Sequence, residues 1–262
     1  KELWNSSQSR FIAECWLKFG ITRKMAKRPT MILPYNGTHV ATERYIGDHL
    51  SSEIRGTGED PFGNHRDLAV KWITELIRPT MREVVSGPVR IMNWTRELAN
   101  PITAAQKPLI WTSPSGFTVR QRYREMASRR IRTRVGDRIY HLSLSESTDK
   151  LDHRKQAQSL APNWIHSYDA AALHMTLAQA REEGIAMIAV HDSYGAHPNH
   201  LDRLNEILRD KFVDCYQGRG AMEQLREDLS HNSGVPMSEL PPPPERGDLD
   251  LDAVRESEFF FA

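Results

Sequence analysis

With 262 residues, 39% hydrophobic and 26% charged, 15 glycines and 15 prolines, the sequence has the composition of a globular protein of one or two domains, long enough to bury a sizeable core. That balance excludes a disordered tail and a collagen-like repeat, and a cysteine inventory of Cys15 and Cys215 excludes a disulfide scaffold and a thiolate zinc site and suits a reducing cytosol. No secretory or lipidation motif opens the sequence, and its longest apolar run, Ile185 to Val190, falls far short of the roughly 20 residues that span a bilayer, so no membrane partner is expected.

The formal net charge of +1 conceals an uneven distribution. Residues 1–35 carry seven Lys and Arg against two acids. Within them Arg23, Lys27, Met31 and Tyr35 recur at every fourth position, a stripe of two cations, an apolar residue and an aromatic if the segment is helical. Two cations one turn apart suit the phosphates of a nucleotide, and an aromatic further along can stack near its base or sugar. A solvated basic face is the other reading. Pro29 and Pro34 place a bend within the stripe.

Gly56, Gly58, Pro61 and Gly63 read as a loop, because the strand and helix that would flank a phosphate-cradling motif are missing. Leu68, Trp72 and Leu76 then predict an amphipathic helix over 67–77, closed by Pro79. A second helical stretch holds Met81, Val84 and Val85, is punctuated at Gly87-Pro88, and resumes towards Leu98 before Asn100-Pro101. From Leu109 to Leu144 short period-two runs alternate with Pro114-Ser115-Gly116 and Gly136-Asp137, the signature of a β-hairpin. Eight arginines between Thr118 and Leu142 oppose only Glu125 and Asp137. On an exposed ribbon such arginines can enter a DNA groove, with Arg130, Arg132 and Arg134 alternating along one face as the candidates for template contact. They can equally meet an acidic protein surface, or the acidic stretch from Met222 onward, with its ten acids against three arginines.

A helix is predicted from Ser167 to Glu183, with Asp169 near its start and Gly184 as its left-handed cap. Ile185 to Val190 reads as a strand buried on both faces, ending in His191-Asp192-Ser193-Tyr194-Gly195. A carboxylate at the lip of such a strand suits magnesium, which tolerates little departure from octahedral oxygen geometry; an aspartate serving only a tight turn is the alternative. Pro198 opens a helix carrying Leu201, Leu204, Leu208, Phe212 and Cys215, and Pro241 to Pro244 form a stiff connector to an apolar end, Phe259-Phe260-Phe261-Ala262, expected to be packed. The fold class is α+β.

Taken together, Thr22 to Tyr35, Ala161-Pro162-Asn163-Trp164-Ile165-His166-Ser167, His191-Asp192-Ser193-Tyr194-Gly195 and the terminal Phe-Phe-Ala resemble, in order and approximate spacing, the carboxyl-terminal portion of single-subunit DNA-dependent RNA polymerases of the phage and mitochondrial type. The resemblance implies a right-hand polymerase in which 1–117 is a mostly helical fingers region, 118–150 a basic promoter hairpin, and 151–262 part of the palm with a packed carboxyl terminus. It implies that Lys27 contacts the phosphates of the incoming nucleotide and can protonate the leaving pyrophosphate, with Arg23 beside it. Tyr35 and His166 resemble the residues that tell ribose from deoxyribose. Asp192, with His191 beside it, resembles the second of two palm aspartates that hold catalytic magnesium.

Two departures stand out. After Tyr35 the family continues with glycine, whereas this sequence has Asn36-Gly37. The family's first palm aspartate, thumb and promoter domain precede the Arg23 motif, so the two Mg2+ ions are expected to be held partly by a second polymerase chain. A proteolytic or cloned fragment is the other explanation. DNA template and promoter, nucleoside triphosphates and an RNA product are the remaining partners implied, and the expected setting is the cytoplasm of an infected host cell. The alternatives weighed are a DNA polymerase of the related bacterial repair type, against which Ser193 stands where glutamate is usual, and a non-catalytic DNA-binding subunit that uses the arginine ribbon.

Overall fold

The computed structural model describes residues 7–217 and 220–260. They fall into two compact units, one ending at Asn93 and the other beginning at Trp94. Each is built from local elements whose boundaries the capping residues explain.

In the first unit, α1 (Ser7–Phe19), α2 (Arg23–Ile32), α3 (His39–Thr57) and α4 (Arg66–Val84) enclose an apolar core. Thr22 caps α2 by accepting from the Met25 amide at 3.3 Å, and Thr38 caps α3 by accepting from that of Ala41 at 3.1 Å. Gly58, at φ 75°, ends α3 in the left-handed conformation, its N–H donating to the Ile54 carbonyl. Ile12, Trp16, Met25, Ile46, Leu50, Phe62 and Ile73 are buried together. Trp16 anchors them: its ring lies 4.7 Å from that of Phe62, and its indole N–H donates to the Ala69 carbonyl at 3.0 Å.

Pro79 does not close the helix over 67–77; α4 continues through it to Val84. The lost backbone hydrogen bond is outweighed by tertiary contacts on either side of it. Arg78 donates to the Gly37 carbonyl and the Thr42 hydroxyl, and Met81 is buried. The chain breaks instead at Val85, and Gly87-Pro88 fall in the first turn of α5 (Ser86–Ala104), where the missing proline N–H costs nothing. Pro101 is likewise carried inside α5, between Ala99 and Ile102, both fully buried.

The second unit contains three antiparallel hairpins: β1 (Leu109–Thr112) with β2 (Thr118–Gln121), β3 (Arg124–Val135) with β4 (Arg138–Leu151), and β5 (Met187–Val190) with β6 (Ser193–Ala196). The Gly136-Asp137 turn sits where the sequence puts it, at the tip of a ribbon of 12 and 14 residues per strand, longer than the sequence pattern suggests. Helix α6 (His153–Glu182) runs the length of this unit, followed by α7 (Leu201–Gln217), α8 (Ala221–Ser233) and a single turn, α9 (Ala253–Glu256). Asp152 caps α6 by accepting from the Lys155 amide at 2.9 Å, so the helix starts well before the expected Ser167 and carries Pro162 inside it. Arg203 of α7 donates to both oxygens of Glu183 at 2.8 Å, a fork that ties the two helices and, with Gln179, holds that carboxyl down at about 2.

Among the described residues no helix is long and apolar enough to cross a membrane. Cys15 and Cys215 are both free and buried. Because Trp16 combines ring packing with a buried hydrogen bond, Trp16→Ala is expected to destabilise the first unit by about 3–5 kcal/mol in urea denaturation; a loss under about 1 kcal/mol would show that the first unit does not depend on this ring.

Candidate active site

The residues that could do chemistry gather in a cavity of about 520 Å³ in the second unit, walled by the middle of α6, the β5–β6 turn and α7. His166 and Asp169 come from α6, His191, Asp192 and Tyr194 from the turn and β6, and Phe212 from α7.

Buried polar residues set the rotation of α6. Asn163 donates to Gln121 Oε1 at 2.8 Å and to the Tyr123 hydroxyl at 3.0 Å. One turn on, Ser167 Oγ accepts from the Trp111 indole at 3.0 Å and donates to the Trp164 carbonyl at 2.6 Å. Gln121 and Gln156 exchange amide hydrogen bonds, each side chain donating to the other's backbone carbonyl. With Asn163 and Ser167 held against β1 and β2, positions 166 and 169 turn towards the cavity.

Asp192 is presented by a two-residue turn, since Val190 pairs with Ser193 and only His191 and Asp192 lie between. His191 adopts φ 55°, a left-handed conformation that costs a non-glycine residue about 1 kcal/mol. Asp192 therefore belongs to a tight turn and also opens on a cavity. The expectation of a strand buried on both faces is corrected. Met187 and Ala196 pack on Ala180, Ile185 and Ile207, but Ile188 and Val190 are 74% and 65% exposed. Among the described residues β5 pairs only with β6, so nothing in this sheet covers the second face.

Asp169 is the residue that sequence reasoning missed. Taken as a residue near a helix start, it is in fact in mid-helix. Burial pushes its carboxyl up, the Asp192 charge adds to that, and His166 opposes it. The same surroundings raise Tyr194, chiefly through burial and then through Asp192 and Asp169. Recognising that Asp152 begins the helix is the signal that could have found Asp169, because a mid-helix aspartate has no terminus to cap.

Carboxylate oxygens of this kind fit magnesium rather than a soft metal. Yet among the described residues no group of three or more His, Cys, Asp or Glu side chains could hold an ion unaided.

The other candidates lie in the first unit. Met25 and Pro29 face inward on α2, leaving Arg23, Lys27 and Met31 on the exposed side. Lys24 is engaged by Glu53 at 2.6 Å, and Arg28 lies over the Tyr45 ring. Tyr35 ends a 3-10 turn, Leu33–Tyr35, so the stripe does bend. Asn36 takes φ 60°, and Gly37 then packs so tightly that an added Cβ would stand 2.6 Å from the Ile32 side chain and 2.7 Å from its carbonyl oxygen. Asparagine, which tolerates the left-handed region, takes the positive φ of this turn.

On the long ribbon, Arg130, Arg132 and Arg134 pair with Ser143, His141 and Ile139 and share one face. Arg134 also donates to the Gly136 carbonyl and to Asp137 at the tip. Near the carboxyl end, the Phe260 ring lies 5.2 Å from Phe212, a wall of the Asp192 cavity, with Arg209 over its face. Phe261 and Ala262 lie outside the described residues.

A family model described as DNA-dependent RNA polymerase matches residues 3–239. The chain is 32% identical over 255 residues to the DNA-directed RNA polymerase of Pseudomonas phage phiKMV, covering 97% of this chain and 30% of that protein. It is 33% identical to the mitochondrial DNA-directed RNA polymerase 1 of Nicotiana sylvestris, covering 92% and 23%. To DNA-directed RNA polymerase 2A of Nicotiana tabacum it is 32% identical, covering 92% and 69%. The chain thus spans about a quarter to a third of the length of the first two of these curated relatives. These matches do not favour the DNA-polymerase alternative.

The amide network gives a direct check on the positioning of α6. Gln121→Leu leaves the side chains of Gln156 and Asn163 short of partners and is expected to cost about 1–3 kcal/mol in urea denaturation; an unchanged midpoint would show that the network does not hold the helix.

Proposed function

The chain belongs to the DNA-dependent RNA polymerase family of the phage and mitochondrial single-subunit type, and on that premise we propose that it binds the incoming nucleoside triphosphate, holds one side of the metal site and meets the DNA. The reaction is template-directed attack of an RNA 3′-hydroxyl on the nucleotide's α-phosphate, with pyrophosphate leaving. The observation that carries this reading is Asp192 and His166 opening on one cavity, in the order and context the family resemblance predicts.

Arg23 and Lys27, on the exposed side of α2, neutralise the triphosphate, and Lys27 Nζ gives a proton to the departing pyrophosphate. Tyr35 and His166 sort ribose from deoxyribose. Asp192, with His191 fixing the turn that presents it, would hold Mg2+, together with a carboxylate from outside these residues. When bound, magnesium would offset charge on the transferring phosphoryl group and make the attacking hydroxyl more acidic. Arg130, Arg132 and Arg134 meet DNA phosphates or bases from one face of the ribbon. A phage protein acting in the cytoplasm of the infected host fits the phage relative matched over 97% of the chain, although the Nicotiana sylvestris relative is mitochondrial.

In the polymerase that contains this chain, Asp192→Ala or Lys27→Ala is expected to slow extension of a primed RNA at least about a hundredfold with little change in melting temperature. Near-normal extension by either variant would reject the assignment. Replacing Arg130, Arg132 and Arg134 together by serine is expected to weaken DNA binding and make the slope of log affinity against log salt shallower by roughly 2–3; an unchanged slope would remove the ribbon from the DNA interface.

A further inference from the structure

Asp169 stands where an aspartate is expensive. Its carboxylate competes for backbone hydrogen bonds in the middle of a helix, where aspartate is among the poorer formers. It lines the Asp192 cavity, where partial burial and the like charge both work against its ionised form. A position that loses on propensity, solvation and charge repulsion together is one the fold keeps for another purpose. Three residues earlier, and therefore on the same face of α6, His166 lines the same cavity.

We propose that Asp169 is a positioning residue for His166, accepting a hydrogen bond from one imidazole nitrogen and so fixing which nitrogen, and in which state, faces a ribose in the cavity. This rests on the reading of His166 as a ribose-facing group. A neutral imidazole has one donor and one acceptor nitrogen, and the partner of one sets the state of the other. With one nitrogen held by Asp169, the other becomes an acceptor aimed into the cavity. A ribose 2′-hydroxyl can donate to it, whereas a 2′-deoxy sugar cannot, and a site built to hydrogen-bond a substrate hydroxyl discriminates against the analogue that lacks it. The helix supplies what the selection needs: both residues ride on one rigid element, whose rotation Asn163 and Ser167 already hold.

Two measurements test this. In the chain itself, side-chain nitrogen–proton correlation spectra report the tautomer of His166, assigned with His166→Gln. Asp169→Asn is expected to change the His166 pattern and Asp169→Glu to restore it; Asp169→Ser replaces the asparagine variant if that does not fold. In the polymerase containing the chain, Asp169→Asn is expected to reduce the ribonucleotide preference in kcat/KM about tenfold or more, mainly through a raised KM for the ribonucleotide, with partial recovery in Asp169→Glu. A folded Asp169→Asn chain with an unaltered His166 spectrum overturns the proposal, as does an altered spectrum with full ribose preference. Failure of the polymerase reading is distinguishable, because it shows as no incorporation by the unsubstituted protein, while the spectrum still decides the role of Asp169.

Discussion

Two carboxylates brought to one cavity are the constraint around which the second unit is organised. Burial and the Asp192 charge both push the Asp169 carboxyl up, so the pair depends on something rigid to keep it assembled. Rigidity comes from α6, whose far side is fastened by Gln121, Asn163, Gln156 and Ser167, and from a two-residue turn that accepts a left-handed histidine to aim Asp192. His166 lines the same cavity.

The first unit solves a different problem with the same economy. Its basic helix buries Met25 and Pro29 and keeps Arg23 and Lys27 in water, while Lys24 and Arg28 are tied to Glu53 and Tyr45. A stretch of consecutive cations is thereby divided into structural and available ones. The Asn36-Gly37 turn shows how closely backbone governs this region: the left-handed residue and the residue that must lack a Cβ are two adjacent positions.

Much of this was legible in the amino-acid order, for physical reasons that particular residues make plain. The four-residue stripe from Arg23 to Tyr35, the Gly136-Asp137 turn with arginines on alternate positions, and the run into His191-Asp192 each depend on local spacing. What was hidden depends on tertiary context. Pro79 and Pro101 read as helix breakers, yet α4 and α5 run through them, with Met81 buried a little beyond the first and Ile102 buried beside the second. Ile185 to Val190 looks doubly buried because composition records apolarity and not which face has a partner. Asp169 was concealed because the helix was started at Ser167, too late, so that an acid lining the cavity passed for a residue near its start.

The central claim is that Asp192 takes a divalent cation at the cavity it shares with Asp169. Titrating the isotope-labelled chain with paramagnetic Mn2+ tests it without any requirement for turnover. The account predicts selective broadening of backbone amides in the β5–β6 turn and the middle of α6, abolished by Asp192→Asn. Broadening centred elsewhere, or unchanged in that variant, would contradict it.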